Sequence, residues 1–348
     1  MSIAPEQVAA PSSVDTVIEV EDLHVTFAGR DGGVARAVDG VNLNIRRGEI
    51  IAMVGESGCG KTTLARTILG LEKPASGRVR FHGKPLDYGG RALKAYRKNV
   101  QLVLQDPTGS LNPRHSVYEA VAEGPRTHGM DDEVGRVTRA LAMSGLRPPE
   151  RFFLRYPHEL SGGQRQRVVI AGALALDPEI IIADEPVSSL DASVRGEILA
   201  LMLRLREELG LTLLVVTHDL GLAWNIADRI VVMYLGRVVE QGPTEQVLSN
   251  PQHPYTRALL SVVPEMHGTE QIVLRGETPD PTRIPSGCRF HPRCQEVQSG
   301  VAEEAGVLAA CQAISPTVLS ADIPIGPDGT TSLPHDAACH LVTPPPAS

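Results

Sequence analysis

Residues 55–62 read Gly-Glu-Ser-Gly-Cys-Gly-Lys-Thr, which is the residue pattern of a phosphate-binding loop. In this pattern the glycines let backbone N–H groups turn toward the β-phosphate of a nucleotide, and the following helix adds the positive end of its dipole. The Lys61 ammonium reaches the β and γ oxygens, and the Thr62 hydroxyl takes a place on Mg²⁺. Residues 55–62, called the phosphate loop from here on, are therefore predicted to bind the phosphates of a nucleotide.

Asp184 and Glu185 follow a short apolar run at residues 180–183. The strands of a parallel sheet deliver such residues to the ligand at their carboxyl edge. We expect Asp184 to hold Mg²⁺ through water and Glu185 to polarise the water that attacks the γ-phosphate. An acid pair alone would more often be a solvated strand end. The phosphate loop in the same chain favours the catalytic interpretation.

The spacing of apolar residues predicts the elements that position these groups. Short apolar runs alternate with helical periodicity, which indicates βαβα order and a mainly parallel core sheet. The predicted strands are residues 50–54, 180–183, 213–216 and 230–235, and the predicted helices are residues 62–69, 164–176 and 194–209. Residues 17–27 and 41–45 alternate in the manner of strands and predict an antiparallel layer before the phosphate loop.

The same pattern suggests a division into domains. We expect a flexible tail at residues 1–16 and a nucleotide-binding domain at residues 17–264, with an inserted, mainly helical subdomain at about residues 91–157. Composition changes after this domain, because residues 277–348 hold 11 of the 27 prolines and four of the five cysteines. Residues 265–348 are therefore predicted to form a loop-rich C-terminal extension.

Composition excludes several classes of protein. A chain of 348 residues with 42% hydrophobic and 21% charged residues can bury a core. The 33 basic against 41 acidic residues give a formal charge of -8, which argues against a nucleic-acid partner. No apolar run is long enough to span a membrane, and the first residues lack the basic start and apolar stretch of a signal peptide. We expect the chain to work in the cytoplasm.

Residues 160–164, Leu-Ser-Gly-Gly-Gln, precede a predicted helix and resemble the signature sequence of ABC ATPases. Gln105, the Ser-Ser-Leu-Asp string that ends at Asp191, and the Thr-His pair that ends at His218 complete the ABC motif set in family order. The resemblance implies a head-to-tail pair of ATPase domains, in which the phosphate loop of one chain faces the signature of the other across ATP. A chain with one motif set then needs a second ATPase chain.

The resemblance also implies a role for each matching residue. Ser161 and Gly163 would contact the γ-phosphate held by the partner, His218 the γ-phosphate of its own site, and Gln105 the Mg²⁺ or the attacking water. Phe27 stands where the family places an aromatic that stacks on adenine, although an apolar strand residue could equally be core. The expected nucleotide contacts are Phe27, Gly55, Ser57, Gly58, Cys59, Gly60, Lys61, Thr62 and Thr63, with Ser161, Gly162, Gly163, Gln164 and Asp191 at the dimer seam. The Cys59 side chain is interpreted as a small filler.

A narrower resemblance, to the ATPase subunits of oligopeptide and dipeptide importers, covers most of the chain. It is carried by Asp-Pro-Thr-Gly-Ser-Leu-Asn-Pro-Arg at residues 106–114, Tyr-Pro-His-Glu-Leu at 156–160 and Asn-Pro-Gln-His-Pro-Tyr-Thr-Arg-Ala-Leu at 250–259. The group has two ATPase types, and Gln164 and the 110–114 stretch favour the second. Gly172 departs from the family, which usually has arginine there.

This narrower resemblance implies a set of partners. A second, paralogous ATPase, two transmembrane permeases and, indirectly, an extracytoplasmic solute-binding protein would complete the importer. The chain would lie peripherally on the cytoplasmic face of the cell membrane. Nickel and glutathione are the alternative solutes, because importers for both belong to the group. A soluble ABC ATPase of DNA repair or translation is the alternative class, but the sequence has neither a coiled-coil or zinc insertion nor a second motif set.

Four cysteines of the extension resemble the region that holds an iron–sulfur cluster in some members of the group: Cys288, Cys294, Cys311 and Cys339. Four thiols suit a [4Fe–4S] cluster or Zn²⁺, and free thiols are the third possibility. The gap between Cys294 and Cys311 is longer than is usual in the family. We expect residues 296–310 to form a helix or loop that returns Cys311 to the others.

Overall fold

The computed structural model describes residues 15–29, 32–263, 271–316, 318 and 335–342. The strands are β1 (Thr16–Ala28), β2 (Val34–Arg46), β3 (Ile50–Val54), β4 (Ser76–Phe81), β5 (Lys84–Pro85), β6 (Val100–Val103), β7 (Ile180–Asp184), β8 (Thr212–Thr217), β9 (Arg229–Tyr234), β10 (Arg237–Pro243) and β11 (Asp336–Ala337). The longer helices are α1 (Lys61–Ile68), α2 (Gly90–Asn99), α4 (Val117–His128), α5 (Glu133–Met143), α6 (Gly162–Leu174) and α7 (Ala192–Leu209). The shorter ones are α3 (Pro107–Ser110), α8 (Leu220–Ile226), α9 (Thr244–Ser249), α10 (Pro254–Leu260), α11 (Gln295–Gln298), α12 (Val301–Glu304) and α13 (Leu308–Ala313).

Seven strands form the core sheet, in the order β11-β10-β9-β3-β8-β7-β6. The five strands from β9 to β6 pair in parallel, as their alternation with helices predicts, whereas β10 and β11 are antiparallel. All five residues of the central strand β3 are buried. Val54 pairs with Thr217 of β8 and Val232 of β9, and Asp184 of β7 pairs with Val216 of β8. This register brings the ends of β3, β7 and β8 to one edge of the sheet.

The antiparallel layer predicted before the phosphate loop is confirmed as a second sheet, in the order β2-β1-β4-β5. Apolar residues of β1 and β2 pack against the core sheet and α1, and together they form one continuous apolar cluster. The tail predicted at residues 1–16 falls outside the described residues up to residue 14, and Thr16 is the first residue of β1.

The segment predicted to be mainly helical, at about residues 91–157, contains a strand as well as helices. β6 lies inside this range and pairs in parallel with β7, so it extends the core sheet. The helices that follow β6 start with α3 and continue through α4 and α5, which pack on α6. Helices α2 to α5 lie in this range together with β6, whose four residues are too few to show a period of their own. The division into domains stays a prediction.

The C-terminal extension packs on the core sheet and shares its apolar cluster. Phe290 and Cys294 are buried together with Tyr234 of β9 and Tyr255 of α10. The ring centre of Phe290 lies 5.2 Å from that of Tyr234 and 5.4 Å from that of Tyr255. These contacts have the edge-on and tilted geometry that aromatic rings prefer. A segment with few large apolar residues is therefore anchored by one aromatic side chain in a neighbouring core.

Candidate nucleotide-binding site

The phosphate loop leaves β3 at Val54 and enters α1 at Lys61. Gly55 and Gly60 have φ angles of 152° and 106°. A Cβ atom at Gly55 would overlap the Met233 carbonyl oxygen, and one at Gly60 would overlap the Ala37 carbonyl oxygen. Glycine is required at both positions because only it accepts this backbone conformation and this close approach. The backbone turn that presents N–H groups to a phosphate depends on these two residues.

Lys61 is the buried cation of the loop, with 7% of its surface exposed. Its ammonium donates hydrogen bonds to the carbonyl oxygens of Gly55, at 2.7 Å, and Glu56, at 3.0 Å. The side chain therefore bends back over its own loop. Phosphate oxygens at the loop would offer this ammonium stronger, charged acceptors.

A cleft of about 600 Å³ opens at the carboxyl edge of the core sheet. Its lining contains most of the residues predicted to touch ATP, Mg²⁺ or the attacking water. It is lined by Ala37, Ser57, Gly58, Gly60, Lys61, Thr62, Thr63, Gln105, Asp184, Glu185, Val216, His218 and Pro281. Side chains from four separate strand ends thus meet at one place.

Asp184 and Thr62 form the predicted Mg²⁺ corner of the cleft. The Thr62 hydroxyl lies 3.3 Å from an Asp184 carboxylate oxygen. Burial raises the pKa of Asp184, and the hydrogen bond from Thr62 partly opposes this shift. Hydroxyl, carboxylate and the Gln105 amide are hard oxygen donors of the kind that Mg²⁺ prefers. These side chains fit a Mg²⁺ ion, and its charge would favour the ionised form of Asp184.

Glu185 and His218 form a hydrogen-bonded pair, with 2.7 Å between His218 Nδ1 and a Glu185 carboxylate oxygen. Glu185 adopts a φ of 50°, which is unusual for a residue with a side chain. Its N–H donates to the Val216 carbonyl oxygen at 2.8 Å, which holds this turn against β8. The strained turn after Asp184 separates the two acids, so that Asp184 faces Thr62 and Glu185 faces His218.

Several of the predicted nucleotide contacts do not line this cleft. The Cys59 side chain, interpreted from the sequence as a small filler, is buried in the apolar cluster under the loop, and burial raises the pKa of its thiol. Phe27 is 42% exposed near the end of β1. Gly55 lies at the strand end, where it supports the loop. Asp191 is the exposed residue before α7.

The signature residues lie at the N-terminus of α6 and also do not line the cleft. The Ser161 hydroxyl accepts a hydrogen bond from the Gln164 N–H at 3.2 Å, and the Gln164 side chain accepts one from the Ser161 N–H at 3.1 Å. This reciprocal cap explains why the helix begins at Gly162. Ser161 and Gly162 are exposed, whereas Gly163 is buried against α7 near Val194.

Three residues of the extension reach the phosphate loop, and sequence reasoning missed all three. Pro281 lines the cleft. The Thr278 hydroxyl donates to a Glu56 carboxylate oxygen at 2.8 Å. Arg293 donates to both Glu56 carboxylate oxygens, at 2.7 and 3.1 Å. No short motif assigns these residues to a phosphate site, and the sequence signal near Arg293 is the pair Cys288 and Cys294 on either side of it.

The four cysteines of the extension converge but do not show the predicted metal centre. The insertion forms α11, α12 and α13 and returns Cys311 to Cys288, whose N–H donates to the Cys311 carbonyl oxygen at 2.8 Å. Burial raises the pKa of all four thiols, to about 12 for Cys288 and about 11 for Cys294. The sulfur donors suit iron or zinc chemically, but within the described ranges no three His, Cys, Asp or Glu side chains are arranged to hold a metal ion.

The fold and the cleft together define an ABC-type ATPase. The model of the ABC transporter family matches residues 38–188, and the model described as the oligopeptide/dipeptide transporter C-terminal region matches residues 239–300. The chain belongs to the ABC transporter ATP-binding family, in its oligopeptide/dipeptide group, and it is an ATP-hydrolysing enzyme of that family. In the parts of the chain that the structure describes, no helix is long and apolar enough to cross a membrane.

Individual relatives agree with this assignment. The chain is 45% identical over 296 residues to the oligopeptide transport ATP-binding protein AppF of Bacillus subtilis, covering 80% of this chain and 89% of AppF. It is 43% identical over 295 residues to the dipeptide transport ATP-binding protein DppF of Escherichia coli, covering 81% of this chain and 88% of DppF. These relatives do not favour the repair, translation, nickel or glutathione alternatives.

Solved structures of ABC cassettes have the same fold. The cbiO1 subunit of Clostridium perfringens, part of the ABC transporter complex cbiONQ, superimposes with a TM-score of 0.62 at 36% identity and covers 68% of this chain and 92% of its own. A dimeric ATP-binding cassette bound to ADP and Pi, in a post-hydrolysis state, superimposes with a TM-score of 0.59 at 33% identity and covers 65% of this chain and 98% of its own.

Proposed function

We propose that this chain is the ATP-hydrolysing subunit of an importer of oligopeptides or dipeptides. The observation that supports this most directly is the match of residues 239–300 to the C-terminal region of oligopeptide/dipeptide transporters, in a chain with a complete phosphate site. The chain would lie on the cytoplasmic face of the membrane, against two permease subunits. The solute would be delivered from outside by a separate binding protein.

In the proposed reaction, the phosphate loop receives the ATP phosphates and Lys61 turns from the Gly55 and Glu56 carbonyls to the β and γ oxygens. Mg²⁺, when bound, offsets charge on those oxygens, and Thr62, Asp184 and Gln105 would hold it. Glu185 orients the attacking water and takes its proton. His218, hydrogen-bonded to Glu185, contacts the γ-phosphate.

A second ATPase chain completes the proposed site. Ser161 and Gly163 lie at the N-terminus of α6, outside the residues that line this chain's own cleft, and a similar solved cassette is dimeric. The family's head-to-tail geometry would place this helix start, with Gly162, Gln164 and Asp191, against the nucleotide of the partner, and Phe27 against adenine in the chain's own site. We propose a related but different chain as this partner, because the sequence resembles the second of two ATPase types.

ATP hydrolysis in the assembled complex tests the proposed function. The full chain would be produced with its partner ATPase, permeases and binding protein in vesicles, and ATP turnover would be measured with short peptides, with nickel and with glutathione. Peptides should raise turnover and accumulate in the vesicles. Stimulation by nickel or glutathione alone would contradict the peptide assignment, and turnover without any transport would contradict the importer.

The metal centre at Cys288, Cys294, Cys311 and Cys339 stays a prediction, with [4Fe–4S] preferred to Zn²⁺. It rests on the resemblance and on the return of Cys311 to Cys288, and no step of ATP hydrolysis uses it. Iron, sulfide and zinc would be measured after anaerobic purification of the full chain. A metal-free protein that binds ATP and supports transport would contradict both metal hypotheses. Iron that persists in a Cys311→Ser variant would remove that residue from the set.

A further inference from the structure

Glu56 is an acidic residue inside a loop that must bind a polyanion. Its backbone carbonyl oxygen is one of the two that accept hydrogen bonds from Lys61, and Lys61 also interacts electrostatically with its carboxylate. An uncompensated carboxylate here would repel the ATP phosphates and compete with them for the Lys61 ammonium. The negative charge of Glu56 therefore needs a compensating positive charge from outside the phosphate loop.

The C-terminal extension supplies the compensating charge. Arg293 holds Glu56 with two parallel hydrogen bonds, the strongest arrangement available to these two groups. Only 8% of the Arg293 side chain is exposed, and its guanidinium lies over the Tyr234 ring, 5.9 Å from the ring centre. Burial opposes the charge on Glu56, but the hydrogen bonds from Arg293 and Thr278 outweigh it and lower the pKa of Glu56. The pair is ionised and its net charge is zero.

The C-terminal extension also supports the backbone of Glu56, through Tyr255. Its N–H donates to the Tyr255 hydroxyl at 2.8 Å, and the Tyr255 ring packs on Phe290 of the extension. Nearer the cleft, the Pro281 carbonyl oxygen accepts a hydrogen bond from the Arg36 N–H at 3.1 Å, which fixes Pro281 against β2. The extension thus contacts the Glu56 side chain directly, supports the Glu56 N–H through Tyr255, and lines part of the cleft with Pro281.

We propose that Arg293 is a positioning residue for ATP binding: it neutralises Glu56 and fixes the phosphate loop, so that the C-terminal extension is a working part of the nucleotide site. Arg293 does not touch the nucleotide in this proposal, and it acts only through Glu56. The proposal rests on the ABC ATPase class and goes beyond the proposed peptide importer, since it holds whatever solute is carried.

The first test is the affinity of the full-length chain for ATP, measured by titration with a fluorescent ATP analogue and Mg²⁺. An Arg293→Ala variant should bind on the order of tenfold more weakly, because the partly buried Glu56 carboxylate is left without its charged partner beside the phosphates. In the assembled complex, KM for ATP should rise by a similar factor while kcat changes little, since the groups that act on the water are untouched. An Arg293→Gln variant of similar size should show the same weakening if the alanine variant folds poorly.

The second test separates this role from a merely structural one. Adding Glu56→Gln to the Arg293→Ala variant removes the unpaired carboxylate, so ATP affinity should return most of the way to that of the wild type. A residue that only stabilised the fold would give a double variant no better than the single one.

Arg257→Ala is the matched control, because Arg257 also bridges the core and the extension. It pairs with Glu296 at 3.1 Å, and its other hydrogen bonds go to the Pro251 and Gln252 carbonyl oxygens. This half-exposed pair should change ATP affinity by less than about twofold. The proposal is overturned if the Arg293 variants bind ATP as tightly as the wild type, if Glu56→Gln brings no recovery, or if Arg257→Ala weakens binding equally. None of these results depends on whether peptides are transported.

Discussion

Two regions of the molecule meet at the phosphate loop, and they reach it in different ways. The core delivers its groups through adjacent parallel strands, whose register places Thr62, Asp184 and His218 at one edge. The extension delivers Thr278 and Arg293 to Glu56 across sequence separations of 222 and 237 residues. Core groups are positioned by local strand-loop-helix geometry, whereas extension groups are positioned by docking.

Substitutions in the two regions should therefore have different effects on turnover, stability and ATP affinity. A change in a core residue alters one chemical role and leaves the surrounding sheet in place. A change in the anchor of the extension alters every contact that the extension makes with the loop. The first kind of change should act on turnover and the second on stability and ATP affinity together.

The largest effect is expected where the extension is anchored. Phe290→Ala removes a ring that is 1% exposed, and such a truncation costs about 3–5 kcal/mol of the free energy of unfolding. Urea unfolding of the full chain measures the loss, and ATP affinity should fall with it. Val273→Ala, at a side chain of the extension that is 75% exposed, is the control and should change stability little. An equal loss in both variants would contradict a docked extension.

Glu185→Gln should affect turnover rather than stability. Loss of the carboxylate that orients the water should lower ATP hydrolysis on the order of 10²-fold or more, because positioning and charge supply most of the catalysis. ATP binding should be retained, and the variant should accumulate with its partner as a closed, ATP-bound pair, detectable by size-exclusion chromatography. Glu207→Gln, at an exposed position on α7, provides the matched control. Near-normal turnover in the Glu185 variant would remove it from the catalytic role.

A pair of glycine substitutions gives the smallest effects, with opposite signs in the two regions. Gly172 lies inside α6 with nothing within 4 Å of an added Cβ, so Gly172→Ala should stabilise the protein by about 0.5–1 kcal/mol. Gly287 in the extension has a φ of 66°, and an added Cβ would overlap the backbone of Cys311 and Gln312, so Gly287→Ala should destabilise it. Thermal unfolding of both variants checks the signs, and a stabilising Gly287→Ala would contradict the packing described for the cysteine segment.

The sequence predicts the core site well because its signals are local. The phosphate loop, the apolar runs before Asp184 and His218, and the cap at Ser161 each occupy fewer than ten residues, and the parallel sheet then brings them together. β6 was missed because four residues show no period. Arg293 and Thr278 were missed because no pattern within a short window distinguishes an arginine that pairs with a distant glutamate from one in solvent.

The four cysteines of the extension also show that residue types and spacing do not determine tertiary positions. Their types and number predict a metal set, but the positions of four sulfur atoms depend on the tertiary path of α11 to α13, which spacing alone does not fix. The path does return Cys311 to Cys288. What the structure adds is a second role for the same segment, since Arg289 and Arg293 beside the cysteines are buried against the core.

In this account, two remote parts of the chain together build one nucleotide site. Hydrogen exchange of the full-length Glu185→Gln variant, with and without ATP and Mg²⁺, tests it most directly, because this variant should bind ATP without consuming it. We predict that ATP slows exchange both in the phosphate loop and in residues 278–293, while β4, in the outer sheet, changes little. Slower exchange in the phosphate loop with no change in residues 278–293 would contradict the claim.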